Sequence, residues 1–235
     1  MRHDAVSVRH GADVRIGEVR PGESWAAAAR RIAAGLAGMP LAEDLTATPR
    51  RFVVDADLRV DLRAMTRGDL PHLADWLAQP HVRQWWHSQG DPTPARVAAR
   101  YAPRLEGEVP IRMWVVEANG RSVGFVQDYL LRDHPGTTLL TPDPDALGVD
   151  YAIGAPEWAG RGLGARVLWA WALGAHQRHP AVATYLAAPD HRNAASLRVL
   201  DKAGFVRGTW FDEPQADGSV ATVVGCVLDV CRALG

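Results

Sequence analysis

Three glycines within five residues, Gly160-Arg161-Gly162-Leu163-Gly164, carry the clearest chemistry in the chain. Upstream, Leu147, Val149, Tyr151 and Ile153 alternate with Gly148, Asp150 and Ala152, which predicts a strand. Downstream, Leu163, Val167, Leu168 and Trp171 recur at helical spacing. Glycines at such a strand-to-helix passage let the backbone come close to a ligand, and a helix N-terminus offers unpaired N–H groups and the positive end of a dipole. An anionic, phosphate-bearing cofactor is therefore expected there. Two other cradles do not fit. A P-loop needs Lys and then Ser or Thr after its last glycine, where this chain has Ala165-Arg166; a dinucleotide fingerprint needs the strand to run straight into the glycines, whereas Ala155 to Gly160 intervene.

Other residues bear on a ligand more weakly. Trp85 and Trp86 are adjacent and cannot both face one core, so one of them is expected to face a ligand, as aromatic walls suit sugar rings and cations. Gln127, Asp128, Asp133, Asp143 and Asp145 place several acceptors next to the central strand. His176 and His179 lie one helical turn apart without a third ligand, and suit the negative end of a helix that Pro180 stops, so no metal is expected. Cys226 and Cys231 are too few for a disulfide framework or a zinc site and read as core thiols.

The totals set bounds. At 235 residues, 47% hydrophobic and 23% charged, with a mean hydropathy of -0.14, the chain has the composition of a globular domain with an appendage. A net charge of -1 gives no reason to expect nucleic acid or an anionic membrane as partner. Met1-Arg2-His3-Asp4 is followed by no uninterrupted apolar run, so neither a secretory signal nor a spanning helix is expected and the cytoplasm is the default.

The elements that must position these residues follow in order. Residues 1–56 read as an extension: an alanine-rich helix capped by Ser24 with Trp25, Ala29, Ile32 and Leu36 on one face, a polar linker from Glu43, and a short strand at Phe52-Val53-Val54. Leu58, Val60 and Leu62 alternate as a strand, and Thr66 with Asp69 forms a variant capping box for a helix through Leu77. After a helix through Val97 and Tyr101, Asn119-Gly120 between two apolar runs predicts a hairpin whose second strand passes through Gln127, Asp128 and Tyr129. A loop, Arg132 to Asp145, returns to the central strand. Then come the glycine-rich helix, a strand at Thr184 to Ala187, a helix opened by Asn193 and closed by Gly204, and two closing strands.

This order, with Gly160-Arg161-Gly162-Leu163-Gly164 and the later Asn193 to Lys202-Ala203-Gly204-Phe205, resembles a complete domain of the GNAT acyltransferases over about residues 58–231. The fold class implied is α/β (α+β): a mixed central sheet of about six to seven strands flanked by about four helices, with the extension 1–56 ahead of an N-acetyltransferase domain 57–235. The resemblance implies acetyl-coenzyme A as cofactor, its pyrophosphate held by Gly160, Arg161, Gly162, Leu163 and Gly164, with Asn193 and Lys202 beside them. Three stretches, His81 to Trp86, Gly124 to Tyr129 and Gly148-Val149-Asp150, resemble aminoglycoside 6′-N-acetyltransferases, which confer antibiotic resistance. That resemblance makes Asp150 the general base of a direct transfer, the thioester carbonyl polarised by a backbone N–H among Ile153, Gly154 and Ala155. It places Trp85, Trp86, Gln127, Asp128, Tyr129, Asp190 and Asp217 around the amine.

Two positions depart from that group: Leu200 stands where those enzymes have a Tyr proposed to protonate the leaving thiolate, and Ala188 where they carry an acceptor-binding Asp. Pro189-Asp190-His191-Arg192-Asn193 resembles instead the siderophore-pathway lysine N-acyltransferases, which have His in place of Asp150. A sensor that holds coenzyme A without turnover is the reading from another class. The expected partner is a small-molecule amine, the expected assembly a monomer or homodimer.

Overall fold

In a computed structural model of the chain the described residues are 5–10, 13–18, 20–24, 27, 28, 31, 51–55, 58–86, 90–134, 143–215 and 218–234. Strands β1 (Ala5–His10), β2 (Asp13–Glu18) and β3 (Arg51–Asp55) form a three-stranded sheet in the order β2-β1-β3. The extension was expected to hold β3 alone, so β1 and β2 are a correction. The signal was present in the alternation of Val6 and Val8 and of Val14 and Ile16 on either side of a glycine in the sequence. Ser24 Oγ accepts from the Ala27 N–H at 3.2 Å, as a cap does. The other residues of the expected alanine-rich helix, apart from Ala28 and Arg31, lie outside the described residues, as do the linker 43–50, residues 135–142 and Asp217.

The main sheet has seven strands. In chain order these are β4 (Val60–Ala64), β5 (Arg112–Ala118), β6 (Arg121–Leu130), β7 (Leu147–Ile153), β8 (Thr184–Ala187), β9 (Val206–Pro214) and β10 (Val220–Asp229). Their order across the sheet is β4-β5-β6-β7-β8-β10-β9, and only β7 and β8 run parallel. Asn119 (φ 50°) and Gly120 (φ 76°) make the expected hairpin turn, in which both central residues are left-handed.

Helices cover both faces. On one lie α1 (Leu70–Ala78), α2 (Pro80–Arg83) and α3 (Pro94–Leu105); on the other lie α4 (Leu163–Arg178), α5 (Ala194–Ala203) and the short α6 (Val230–Leu234). Leu70, Leu73, Ala74, Trp76 and Leu77 are buried on α1 at helical spacing, against Val97 and Tyr101 of α3 and Phe125 of β6. Asp69 starts α1: its carboxylate accepts from the Thr66 N–H (2.9 Å) and hydroxyl (2.8 Å) and, bidentately, from Arg63 (2.7 and 2.9 Å). On the other face Trp169, Trp171, Leu168, Tyr185, Leu200 and Phe205 fill the larger core. Side chains of that size contribute roughly 1.5–3 kcal/mol each when fully buried, which is what holds α4 and α5 on the sheet.

Candidate active site

The site lies where two neighbouring strands part. β7 and β8 pair at Leu147↔Tyr185 and Gly148↔Leu186 and nowhere further along. On its other edge β7 stays paired with β6 throughout. The register tells which β7 groups face the gap. Gly154 N–H bonds to Val123 C=O, so Gly124↔Ile153 is a non-hydrogen-bonded pair, and Ile153 and Tyr151 aim their own N–H and C=O groups away from β6. The His81 Nε2–H accordingly donates to Ile153 C=O at 2.8 Å.

A cleft of about 740 Å³ occupies this gap and reaches the glycine-rich loop. Gly160 (φ 73°) and Gly162 (φ 79°) are left-handed, a conformation an L side chain rarely adopts. Gly162 is the N-cap of α4 and supplies no side-chain cap, so the first-turn N–H groups of this 16-residue helix are left for a ligand in the cleft. A Cβ on Gly164 would lie 3.1 Å from both methyls of Val199, so the glycine lets α5 pack close to α4. That proximity brings Arg198 and Lys202, one turn apart on α5, to the cleft. Two cations, bare helix amides and an open loop fit a pyrophosphate.

On the sheet face towards α3, Gln127 of β6 and Asp150 of β7 are register partners. The Gln127 Nε2 donates to Asp150 Oδ2 at 2.7 Å, and Arg104 Nη1 of α3 donates to Gln127 Oε1. Burial pushes the Asp150 carboxyl above its ordinary pKa, against the opposing pull of the Gln127 hydrogen bond and the Arg104 charge. Tyr129, two residues along the same face, is pushed well above the ordinary phenol value by burial and by the charges of Asp150 and Glu213. Trp85 and Trp86 both line the cleft, half-buried. Trp86 is held by its Nε1–H bond to Tyr101 Oη (3.0 Å) and an edge contact with Phe125.

The acetyltransferase (GNAT) domain family matches residues 66–213. The chain belongs to the GNAT acetyltransferase family. Among curated relatives of this GNAT chain, aminoglycoside N(6′)-acetyltransferase type 1 of Klebsiella pneumoniae is 29% identical over 162 residues, 68% of this chain and 80% of that one. The lysine N-acyltransferase MbtK of Mycolicibacterium paratuberculosis is 26% identical over 156 residues, 66% and 69% of the two chains. The crystal structure of aminoglycoside acetyltransferase AAC(6′)-Ib in complex with coenzyme A and kanamycin superposes with a TM-score of 0.62 at 28% identity, covering 73% of this chain and 95% of that one. The GNAT chain is thus an acetyltransferase that uses acetyl-coenzyme A. Among the described residues no helix is long and apolar enough to cross a membrane.

The structure gathers many of the residues expected at the GNAT site and moves others. Ile153, Gly160, Gly162, Leu163, Gly164, Asn193 and Lys202 line the cleft, as do Gln127, Tyr129, Asp150 and Asp190. Asp128 does not. Side chains alternate across a strand, so Asp128 points to the face opposite Gln127 and Tyr129. There it is buried, accepting from the indole N–H of Trp114 (2.7 Å) and of Trp171 (2.9 Å) beside Arg178. Gly154 and Ala155 are corrected too: both N–H groups donate to Val123 C=O (2.8 and 2.9 Å), which leaves Ile153 and Tyr151 as the β7 donors facing the cleft. Arg161 is exposed and does not line the cleft.

Two further expectations acquire a different partner. Asp190 is buried and both its oxygens are engaged by Arg192 (2.7 and 3.0 Å), which holds its carboxyl below the ordinary range. Asn193 Oδ1 accepts from the Ser196 N–H at 3.0 Å as the cap of α5, the role its position predicts. Leu200 is fully buried in the core. The Cys226 thiol, buried and pushed up to about 11 by that burial, is unfit as a nucleophile; Cys231, expected in the core as well, is exposed instead.

Sequence reasoning missed Arg100, Arg104, His81, Tyr151 and Glu213, all at the cleft. The phenol of Tyr151 shares a hydrogen bond with Ser196 Oγ at 3.0 Å, tying β7 to α5. The signal for the arginines was their spacing, one helical turn apart around Tyr101.

Proposed function

We propose that the chain transfers the acetyl group of acetyl-coenzyme A directly to a primary amine of a small molecule, with Asp150 as the base. The observation that carries this reading is the position of Asp150, at the cleft, register-paired with Gln127 on β7, whose edge towards β8 is open beyond Gly148. An amine must be neutral to attack, and a carboxylate whose pKa is raised by burial is better matched to taking its proton at neutral pH than an exposed one. Gln127, itself bonded to Arg104, orients the carboxylate. The N–H groups of Ile153 and Tyr151 face the gap and are placed to polarise the carbonyl under attack. Bound acetyl-coenzyme A supplies the activated acetyl thioester; the first turn of α4, Arg198 and Lys202 hold its phosphates. The thiol of Cys226 is buried and Cys231 does not line the cleft, which favours direct transfer as the route.

For the acceptor, the 6′-amino group of an aminoglycoside is the first reading, with antibiotic resistance as its consequence; it is supported by the 29% identical relative and by Trp85 and Trp86 at the cleft. The second is the side-chain amine of lysine or its N-hydroxy derivative. Arg100 and Arg104 at the cleft favour it, because cations repel a polycation, and so does the second curated relative. Purified protein is assayed for thiol release from acetyl-coenzyme A with kanamycin, tobramycin and a panel of lysine-type amines. Turnover with an amine, lost in Asp150→Asn, is expected; tight coenzyme A binding with no turnover on any amine sinks the reading and leaves the sensor.

A further inference from the structure

We infer that the acceptor carries a carboxylate besides its reacting amine, which favours the second of the two acceptors above over an aminoglycoside, and that Arg104, assisted by Arg100, is the residue that selects it; this rests on the N-acetyltransferase reading above. Arg104 and Arg100 lie one turn apart on α3 and line the cleft on the face where Asp150 stands, while Arg198 and Lys202 approach it from the α5 side. The two pairs of cations therefore serve different ends of the cleft. Arg198 and Lys202 suit phosphates beside α4, which leaves Arg100 and Arg104 without a cofactor role.

Neither α3 arginine has an ion-pair partner among the described residues. Arg104 packs over the Tyr101 ring at 4.6 Å and Arg100 over the same ring at 5.8 Å, and the one hydrogen bond of Arg104 among the described residues goes to the neutral amide oxygen of Gln127. A guanidinium has five N–H groups in a fork that matches a carboxylate bidentately. Arg104 is half-buried and Arg100 exposed, and a charge that loses part of its hydration is ordinarily paired. Burial does disfavour the charged form of Arg104, and the carboxylate of Asp150, one amide away, offsets only part of that cost. The two side chains that contact Gln127 are thus a cation and an anion, spaced by two hydrogen bonds and one amide, on the order of 7 Å. An amine directed at Asp150 and a carboxylate directed at Arg104 match that pair. Glu213 also lines the cleft and acts on Tyr129 together with Asp150, so an additional ammonium on the same acceptor finds an acid. A small amino acid with a second, side-chain amine has this pattern of charge.

Lysine and ornithine are compared with their C-terminal amides and with the corresponding diamines, and with kanamycin, as acceptors for the purified full chain. We expect kcat/KM for the free acids to exceed that of the amides and diamines by about tenfold or more, the worth of a charge-assisted pair. In Arg104→Gln the ratio of acid to amide falls towards one, and in Arg100→Gln it falls part-way. Because the acid-to-amide comparison is made in the unaltered protein, it stands even if a variant does not fold. Equal rates for acid and amide, or a preference for the diamines or kanamycin, overturns the carboxylate inference while leaving the N-acetyltransferase reading intact. Silence with every amine, alongside normal acetyl-coenzyme A binding, removes that reading and this inference with it.

Discussion

Gln127 donates its amide N–H to Asp150 at 2.7 Å across the β6–β7 pair, and the same amide accepts from Arg104 of α3. One neutral side chain thereby fixes both the orientation of a carboxylate and its distance from a guanidinium. With Asp150 replaced by Asn, the amine keeps a hydrogen-bond partner and loses its base, so kcat falls by about 10²–10⁴-fold. Calorimetric titration with coenzyme A is expected to give an affinity near that of the unaltered protein; an equal loss of affinity would reassign Asp150 to binding.

The pH profile follows from the same contact. Burial raises the Asp150 pKa, and the base must be ionised, so the acid limb of kcat/KM lies above the ordinary carboxylate range and activity falls as pH drops through it. The Gln127 hydrogen bond favours the ionised form, so Gln127→Leu moves this limb to higher pH. A limb that moves down, or stays, in this variant separates the profile from Asp150.

Asp128→Ala tests the other side of the strand. Its carboxylate is buried and satisfies two indole N–H groups beside Arg178, and losing it costs about 3 kcal/mol of stability. Chemical denaturation reads that loss. KM for the amine changes little, whereas a residue in contact with the acceptor would raise it.

Gly164→Val sets a branched side chain against Val199 and pushes α5 away from α4, costing about 1–3 kcal/mol and weakening coenzyme A binding as Arg198 and Lys202 retreat. Adding Val199→Ala restores much of both. Melting temperatures with and without coenzyme A measure the two effects, and no rescue by the second change would break the link.

Asp69 gives a stability prediction with a definite sign. Its hydrogen bonds to Arg63, above all, hold its pKa below the ordinary range. A depressed carboxylate pKa contributes stability that is present above the unfolded value and lost as pH falls towards the folded one. Removing the carboxylate in Asp69→Asn therefore costs about 2–3 kcal/mol at neutral pH and less in acid. Urea midpoints at two pH values check this.

Legibility in the sequence followed physical range. Local signals carried furthest: Asn119-Gly120, the Thr66–Asp69 cap, Asn193 and Gly204 each specify a turn or helix end within four residues, and all stand where they were expected. The strand period was also available. Gln127, Asp128 and Tyr129 are consecutive on a strand, so the middle one had to leave the site. The inter-strand register was not available, because a single chain gives no sign of which β7 amides β6 consumes; hence Gly154 and Ala155 were expected at the cleft and are bonded to Val123 instead. Long-range side-chain meetings, such as Arg104 with Gln127, were out of reach for the same reason.

The short pairing of β7 with β8 has a thermodynamic corollary. Two residue pairs join a four-stranded half of the sheet, β4 to β7, to a three-stranded half, β8 to β10. Without ligand, the backbone at that seam depends on helix packing and solvent for what an ordinary ladder supplies. A bound molecule that hydrogen-bonds to Tyr151 and Ile153 acts as the missing rung, so amide exchange there should slow far more on saturation than at any other β7 position, and the two halves should begin to melt as one.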